Sequence, residues 1–305
     1  MEPRTFCRNL CIDRVEPLAG MGAAPKRYVL LHWPRKHWRV PRTQSHLMPD
    51  DLGNAILTAN AAGIHVALVD GDEIAFSHDG LIRRQVTPHE ASDLLSQLAD
   101  GGSLDGEPDP RIVVVCCTDG KQDPCCARYG FAMWKELRTR ADPAQFRILQ
   151  STHLGGCRFA ASVVVLPQRA RYGRLEPTQI TDFLTCLRDG VPFLPAYRGN
   201  PAHDAPRQVV EHAVLLWAAR HGFSGDVVLE DETPNIPEAI VFDCGATIAG
   251  HHMRVRAENV VFEVNTRCAT LDTYGSPARI RRWVTMSVDA SADETSPRLL
   301  PDNAE

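Results

Sequence analysis

Residues 111–130 read RIVVVCCTDGKQDPCCARYG. The apolar run from Arg111 to Cys117 is typical of a buried strand, and residues 126–140 carry the apolar face of a helix. Further strands are predicted over residues 146–152, 160–166 and 171–175, and a further helix over 178–188. Strands and helices that alternate in this way predict an α/β layered fold with a mixed sheet.

The first hundred residues have almost the same order of elements. A strand over 27–32, a helix over 50–62 and a strand over 64–70 are followed by a hairpin and by a helix that starts at Pro88. No residue-level repeat is visible, so the duplication is one of topology. Residues 101–110 are rich in Gly, Asp and Pro and read as a linker. We therefore predict an N-terminal α/β domain over residues 1–105 and a second domain over 108–190.

The rest of the chain has a different pattern. A helix over 206–221 and alternating runs at 227–230, 239–242 and 259–264 predict a C-terminal extension over 191–289, a helix plus a small antiparallel sheet. Residues 290–305 are acidic, contain prolines and lack aromatic side chains, so we predict a disordered tail.

Composition narrows the class of protein. A net charge of -5 over 305 residues gives no electrostatic reason to expect a nucleic-acid partner. No apolar run reaches the length of a membrane span and the N-terminus lacks an apolar leader, so we predict a cytoplasmic protein with no membrane association. Ten cysteines in such a chain indicate metal or redox chemistry more than disulfides.

Cys117, Cys126, His153 and Cys157 are spaced like the ligands of a metal centre. Cys126 lies near a helix start, where the dipole favours thiolate, and glycines between His153 and Cys157 permit a tight turn. Thiolates and imidazole suit iron-sulfur clusters and zinc, so ligand type leaves the metal open.

Strand alternation means that one cysteine of each adjacent pair is a ligand and the other a packing residue. Cys116 and Cys125 are assigned to packing, and an exchange of either one with its neighbour is the alternative. The remaining cysteines are read as ordinary thiols or core residues, and the charged side chains near the site as solvated. The cysteines in this group are Cys7, Cys11, Cys186, Cys244 and Cys268. The charged side chains are Lys121, Arg128 and Arg158.

Residues 115–130, together with 153–160 and 163–167, resemble the sucrase/ferredoxin-like family, which is related to thioredoxin-like [2Fe-2S] ferredoxins. The resemblance implies a thioredoxin-like second domain, and the repeated topology extends this expectation to the first. It also implies a [2Fe-2S] cluster with two cysteine and two histidine ligands. Cys117, Cys126 and His153 match that pattern, but Cys157 replaces the last histidine. This departure implies ligation by three cysteines and one histidine.

The function expected is electron transfer between redox partner proteins of unknown identity, rather than chemistry on a bound substrate. A zinc-binding structural or interaction module is the main alternative, because three cysteines and one histidine are a common zinc set. A thiol-disulfide oxidoreductase is a weaker one, since no Cys-x-x-Cys motif is present. The oligomeric state is open.

Overall fold

Two sets of elements with the same order make up the first two thirds of the chain. The computed structural model describes residues 5–230, 240–269, 271 and 276–290. After a short helix α1 (Cys7–Asp13), the first unit comprises β1 (Arg27–His32), α2 (Asp50–Ala61), β2 (Ile64–Val69), β3 (Phe76–His78), β4 (Leu81–Arg83) and α3 (Pro88–Ala99). A short strand β5 (Glu107–Pro108) precedes the second unit, which comprises β6 (Ile112–Cys117), α4 (Phe131–Arg140), β7 (Phe146–Ser151), β8 (Val163–Leu166), β9 (Ala170–Tyr172) and α5 (Ile180–Arg188).

Both units contribute to one sheet. Within the described residues, nine strands pair in the order β5-β4-β3-β1-β2-β7-β6-β8-β9. In each unit the first strand is parallel to the second and antiparallel to the third. The units meet where Val69 of β2 pairs antiparallel with Ser151 of β7. The α/β fold with the same topology in both units is therefore confirmed, while the domain boundaries at 105, 108 and 190 stay a prediction.

The apolar strand β6 explains how the site is separated from the helices. Val114 and Cys116 point into the core beneath α4 and α5, where Phe183 is fully buried. Val115 and Cys117 point to the opposite face, which contains Cys157 as well. Because successive strand residues alternate between faces, the two adjacent cysteines of β6 lie on different sides of the sheet.

Two local departures from the predicted elements lie beside the site. The helix expected over 126–140 begins with a π-helical turn, Cys126–Gly130, and becomes α-helical only at Phe131. The strand expected from residue 160 starts at Val163, because a 3-10 turn, Cys157–Phe159, comes first. The wider π-helical turn redirects the chain at Cys126, and the tighter 3-10 turn redirects it at Cys157.

The C-terminal region forms a separate core. Helix α6 (Ala205–His221) is capped by Asp204, whose carboxylate accepts the backbone N–H of Arg207. It packs against an antiparallel sheet of four described strands, β10 (Val228–Leu229), β11 (Val241–Ile248), β12 (His251–Val264) and β13 (Ala278–Ala290). The predicted helix and antiparallel sheet are confirmed, and β13 was not predicted. The expected disordered tail falls, from residue 291 onward, outside the described residues.

No helix in the described part of the chain combines the length and the apolarity that crossing a bilayer requires.

Candidate metal centre

The four predicted ligands come from segments that follow two parallel strands. Cys117 is the last residue of β6, and Cys126 opens the π-helical turn. His153 follows β7 by two residues, and Cys157 opens the 3-10 turn beyond it. Since β6 and β7 are parallel, their carboxyl ends lie at the same edge of the sheet. Sheet topology thus brings the ligand loops together.

The four side chains converge on one pocket. The thiol sulfurs of Cys117 and Cys126 and a ring nitrogen of His153 lie within 4.8 Å of one another. The sulfur of Cys157 is 3.5 Å from Nδ1 of His153. The three cysteines are buried, while His153 is half-buried. The arrangement is one that can hold a metal.

Glycine at three positions makes this convergence possible. A Cβ at Gly130 would lie 1.9 Å from the carbonyl oxygen of Cys117, so only glycine lets the π-helical turn pack against the end of β6. Gly155 and Gly156 have φ of +87° and +79°, in the left-handed region that glycine adopts without strain. They reverse the chain between His153 and Cys157.

Asp119 ties the two ligand loops to each other. Its Oδ2 accepts the backbone N–H of His153 at 3.3 Å, and its Oδ1 accepts that of Gln122 at 3.2 Å. The side chain is 6% exposed, so these bonds are shielded from water. Because one carboxylate bonds both loops, the position of His153 depends on the loop that carries Cys126.

The electrostatics of the pocket favour thiolate. Hydrogen bonding to Cys126, with a further contribution from His153, lowers the pKa of Cys117 to about 5. The Cys157 pKa is lowered by the same two neighbours, whereas the Cys126 pKa is raised by the thiols on either side of it. Burial alone would lower the pKa of His153, but hydrogen bonds with Cys117 and Cys157 outweigh it and raise that pKa to about 10. Without a metal, the pocket therefore favours thiolate at Cys117 and Cys157 beside an imidazolium at His153, and a metal ion that binds all four ligands has to displace the protons of His153 and Cys126.

Buried arginines surround the ligand loop. Arg171 donates to the carbonyl oxygens of Leu154 and Gly155, and Arg198 stacks over Phe159 with its guanidinium carbon 4.8 Å from the ring centroid. Arg198 is 4% exposed, and its Nε and Nη1 have no hydrogen-bond partner among the described residues. Burial, with the charges of Arg171 and Arg158, holds its pKa well below the usual value. A buried cation in this state fits a site whose occupant is anionic, as a thiolate-ligated metal-sulfur group is.

Other side chains singled out from the sequence have different outcomes. Arg158 was expected to be solvated, and that expectation is wrong: it is buried and pairs with Glu16, its Nε 2.9 Å from Oε2. Cys116 packs in the helix-side core, as predicted. Cys125 is buried beside Cys7 and Cys268, a grouping that was missed because its members are far apart in the sequence.

Comparison with known proteins gives a family match and distant structural likenesses. A family model described as sucrase/ferredoxin-like matches residues 18–199, which is about three fifths of the chain. A solved thioredoxin-like [2Fe-2S] ferredoxin from Aquifex aeolicus is 19% identical with a TM-score of 0.26, covering 28% of this chain and 89% of the ferredoxin. The wild-type ferredoxin from that organism, at 1.5 Å resolution, is 20% identical with a TM-score of 0.26, covering 28% and 95%. No curated protein gives a significant match.

Proposed function

Because this chain belongs to the sucrase/ferredoxin-like family, as its sequence motif predicted, we propose that it is an electron-transfer protein carrying a [2Fe-2S] cluster. The proposed ligands are Cys117, Cys126, His153 and Cys157. The observation that carries the proposal is the convergence of three buried thiols and one imidazole, beside a loop whose carbonyl oxygens are bound by the buried Arg171.

The protein residues have distinct roles in this proposal. Three thiolates and one imidazole would hold the irons, and the cluster would supply reversible one-electron chemistry. Arg171 holds the loop between His153 and Cys157 through its carbonyl oxygens. Arg198 would offset the negative charge of the proposed cluster from the side of Gly156, where its Nη1 lies 3.1 Å from the position that a Cβ would take.

The half-buried His153 marks the side at which electrons would enter and leave. It lines a surface depression together with Arg39, Arg42, Asp119 and Gln122. The cysteine ligands lie deeper, each no more than 4% exposed. A redox partner protein that docks over this depression would therefore approach the centre most closely at the imidazole. A cytoplasmic location stays a prediction.

The test is anaerobic purification of the full chain, followed by visible spectroscopy, iron and acid-labile sulfide analysis, and electron paramagnetic resonance after dithionite. We expect charge-transfer bands that bleach on reduction and equal amounts of iron and sulfide. Cys117→Ser and Cys126→Ser should each remove the bands, because each deletes a thiolate ligand. Cys186→Ser is the matched control, since Cys186 is half-buried and lies in neither cysteine group.

Two outcomes would support other functions of the same residues. A colourless protein that holds zinc through the four ligands would favour the structural or interaction module, since this ligand set closes a tetrahedral zinc site. Disulfide reductase activity that survives iron removal would favour the thiol-disulfide oxidoreductase. Either result would overturn the electron-transfer proposal.

A further inference from the structure

Three thiols from distant parts of the chain meet on the same face of the sheet as the candidate metal centre. The sulfur of Cys125 lies 3.5 Å from that of Cys7 and 3.2 Å from that of Cys268, and the Cys7 and Cys268 sulfurs are 3.6 Å apart. These residues are 118, 143 and 261 positions apart in the sequence. Cys7 lies in α1, Cys125 is the helical residue directly before the π-helical turn, and Cys268 lies just beyond β12.

A buried carboxylate completes the group. Asp123 is 0% exposed, and its oxygen lies within 4.8 Å of all three sulfurs. Its Oδ1 accepts the backbone N–H of Cys125 and its Oδ2 that of Cys268, both at 2.8 Å. Among the described residues, Asp123 forms no ion pair with a lysine, an arginine or a histidine. Buried carboxylates are as a rule paired with a cation or bound to a metal, so this one lacks its usual partner.

The spacing of the sulfurs suits a single ion. A zinc-sulfur bond of about 2.3 Å gives sulfur-sulfur distances of about 3.8 Å in a tetrahedral site. The observed triangle, with edges of 3.2, 3.5 and 3.6 Å, needs only a slight expansion to reach that size. A disulfide would instead need two sulfurs about 2.05 Å apart, and none of the three pairs approaches that distance.

We propose that Cys7, Cys125, Cys268 and Asp123 form a structural zinc site, separate from the centre at Cys117. Three thiolates with one carboxylate suit zinc better than copper(I), which prefers sulfur ligands alone. Four protein ligands leave no open position, so the site is structural rather than catalytic.

The proposed ion would connect three segments that are far apart in the sequence. It joins α1 and the segment beyond β12 to the loop 119–126, which presents Cys126 to the first centre. Cys125 and Cys126 are adjacent, yet their thiols belong to different groups. Zinc would thus fix the backbone from which a ligand of the neighbouring centre projects.

Metal analysis of the full chain, expressed with both zinc and iron in the medium, tests the proposal. We expect one zinc per chain by mass spectrometry, and zinc-edge X-ray absorption that fits three sulfur neighbours and one oxygen.

Variants show which residues bind the zinc. Cys7→Ser and Cys268→Ser should lose zinc while iron is retained at half or more of the wild-type level. Cys117→Ser should show the reverse, and Cys186→Ser should keep both metals. Asp123→Asn should weaken zinc binding at least tenfold in a chelator competition, and this variant serves where a serine variant fails to fold.

These results separate the two sites. The zinc proposal is overturned if the zinc-replete wild type binds no zinc, if its zinc is lost with Cys117→Ser but kept with Cys7→Ser, or if the three thiols bind copper or iron instead. A colourless chain whose zinc depends on Cys7 and Cys268 would support the zinc site while contradicting the iron-sulfur proposal. A coloured chain without zinc would do the opposite.

Discussion

The first and second units share a topology and a sheet, but they differ in the loop that leads from the first strand to the first helix. After β6, a short segment separates Cys117 from the π-helical turn. It contains Asp119, which hydrogen-bonds to both ligand loops, and Asp123 and Cys125 of the second cysteine group. After β1, a longer loop up to Asp50 contains Trp33 and Trp38, both buried. Nε1 of Trp38 donates to the carbonyl oxygen of Trp33 at 2.8 Å, and both indoles pack into the apolar core of the first unit.

The difference shows that the scaffold alone does not create a metal site. Among the described residues, both groups of side chains that could hold a metal include residues of this part of the second unit and none of the first unit. The loop of the first unit still contributes to the surroundings of the centre, since Arg39 and Arg42 line the depression beside His153. The second unit therefore supplies the proposed ligands, and the first unit supplies side chains beside them.

The largest expected contrast between the units concerns the glycines where their first helices begin. Gly130→Ala would place a Cβ 1.9 Å from the carbonyl oxygen of Cys117, whereas Gly53→Ala in α2 would place one 2.7 Å from that of Thr43. We expect Gly130→Ala to destabilise the fold by about 3 kcal/mol or more and to abolish metal binding, because the end of β6 and the π-helical turn would have to move apart. Gly53→Ala should cost about 1–2 kcal/mol and leave the metal in place.

Urea unfolding, with metal content measured on the same samples, compares the two glycine variants. Equal effects on metal content would show that the close approach of Gly130 to β6 does not hold the site together.

The second contrast concerns two buried carboxylates, each bound by two arginines. Glu16 accepts from Arg158 beside Cys157 and from Arg282 in β13, at 2.9 and 2.8 Å. Asp109, at the opposite end of β6, accepts from Arg111 at 2.7 Å and from Arg147 at 3.2 Å. Glu16→Gln should destabilise the protein by about 3 kcal/mol and lower metal occupancy, because it leaves the buried Arg158 and the partly buried Arg282 without their counter-ion. Asp109→Asn should destabilise by about 1–2 kcal/mol, since Arg111 is partly exposed, and should leave occupancy unchanged.

Acid titration of the unfolding transition checks the role of Glu16. Burial would raise its pKa, but the bonds from Arg158 and Arg282 outweigh burial and hold the pKa below the usual value. The stabilisation is therefore complete above the unfolded pKa of about 4.3 and is lost as the pH falls through the lower folded pKa. Glu16→Gln should flatten this part of the wild-type acid transition. An unchanged acid slope would show that the ion pairs contribute nothing to stability.

The smallest expected effect concerns the ligand that departs from the family pattern. Cys157→His replaces an anionic ligand by a neutral one, so the reduction potential should rise, on the order of 100 mV. His153→Cys should lower it, and the pair of variants brackets the wild type. Redox titration followed by visible absorption measures all three. A potential that Cys157→His leaves unchanged or lowers would exclude Cys157 as a ligand.

Much of the second unit could be predicted because short stretches of its sequence determine the elements they form. The apolar run of β6 indicates a buried strand, and strand alternation correctly places Cys116 and Cys117 on opposite faces. The spacing of Cys117, Cys126, His153 and Cys157 brings four candidate ligands to notice before any coordinates are known. The π-helical turn was missed, because five residues do not form a pattern that differs from the start of an α-helix.

The parts that were missed depend on contacts between distant residues. Cys268 was interpreted as a core or strand residue, and nothing near it in the sequence indicates Cys7 or Cys125 as a neighbour. The burial of Arg158 was missed for the same reason, since its partner Glu16 lies 142 residues away. Local patterns describe elements and their faces, whereas such groupings arise only when the whole chain is folded.

The hydrogen bonds that join the two units, between β2 and the end of β7, stop one residue before His153. The backbone N–H of Thr152 donates to the carbonyl oxygen of Leu68 at 2.8 Å, and its hydroxyl accepts the N–H of Leu68 at 3.0 Å. A tilt of the first unit against the second would therefore pull on the chain directly beside the imidazole.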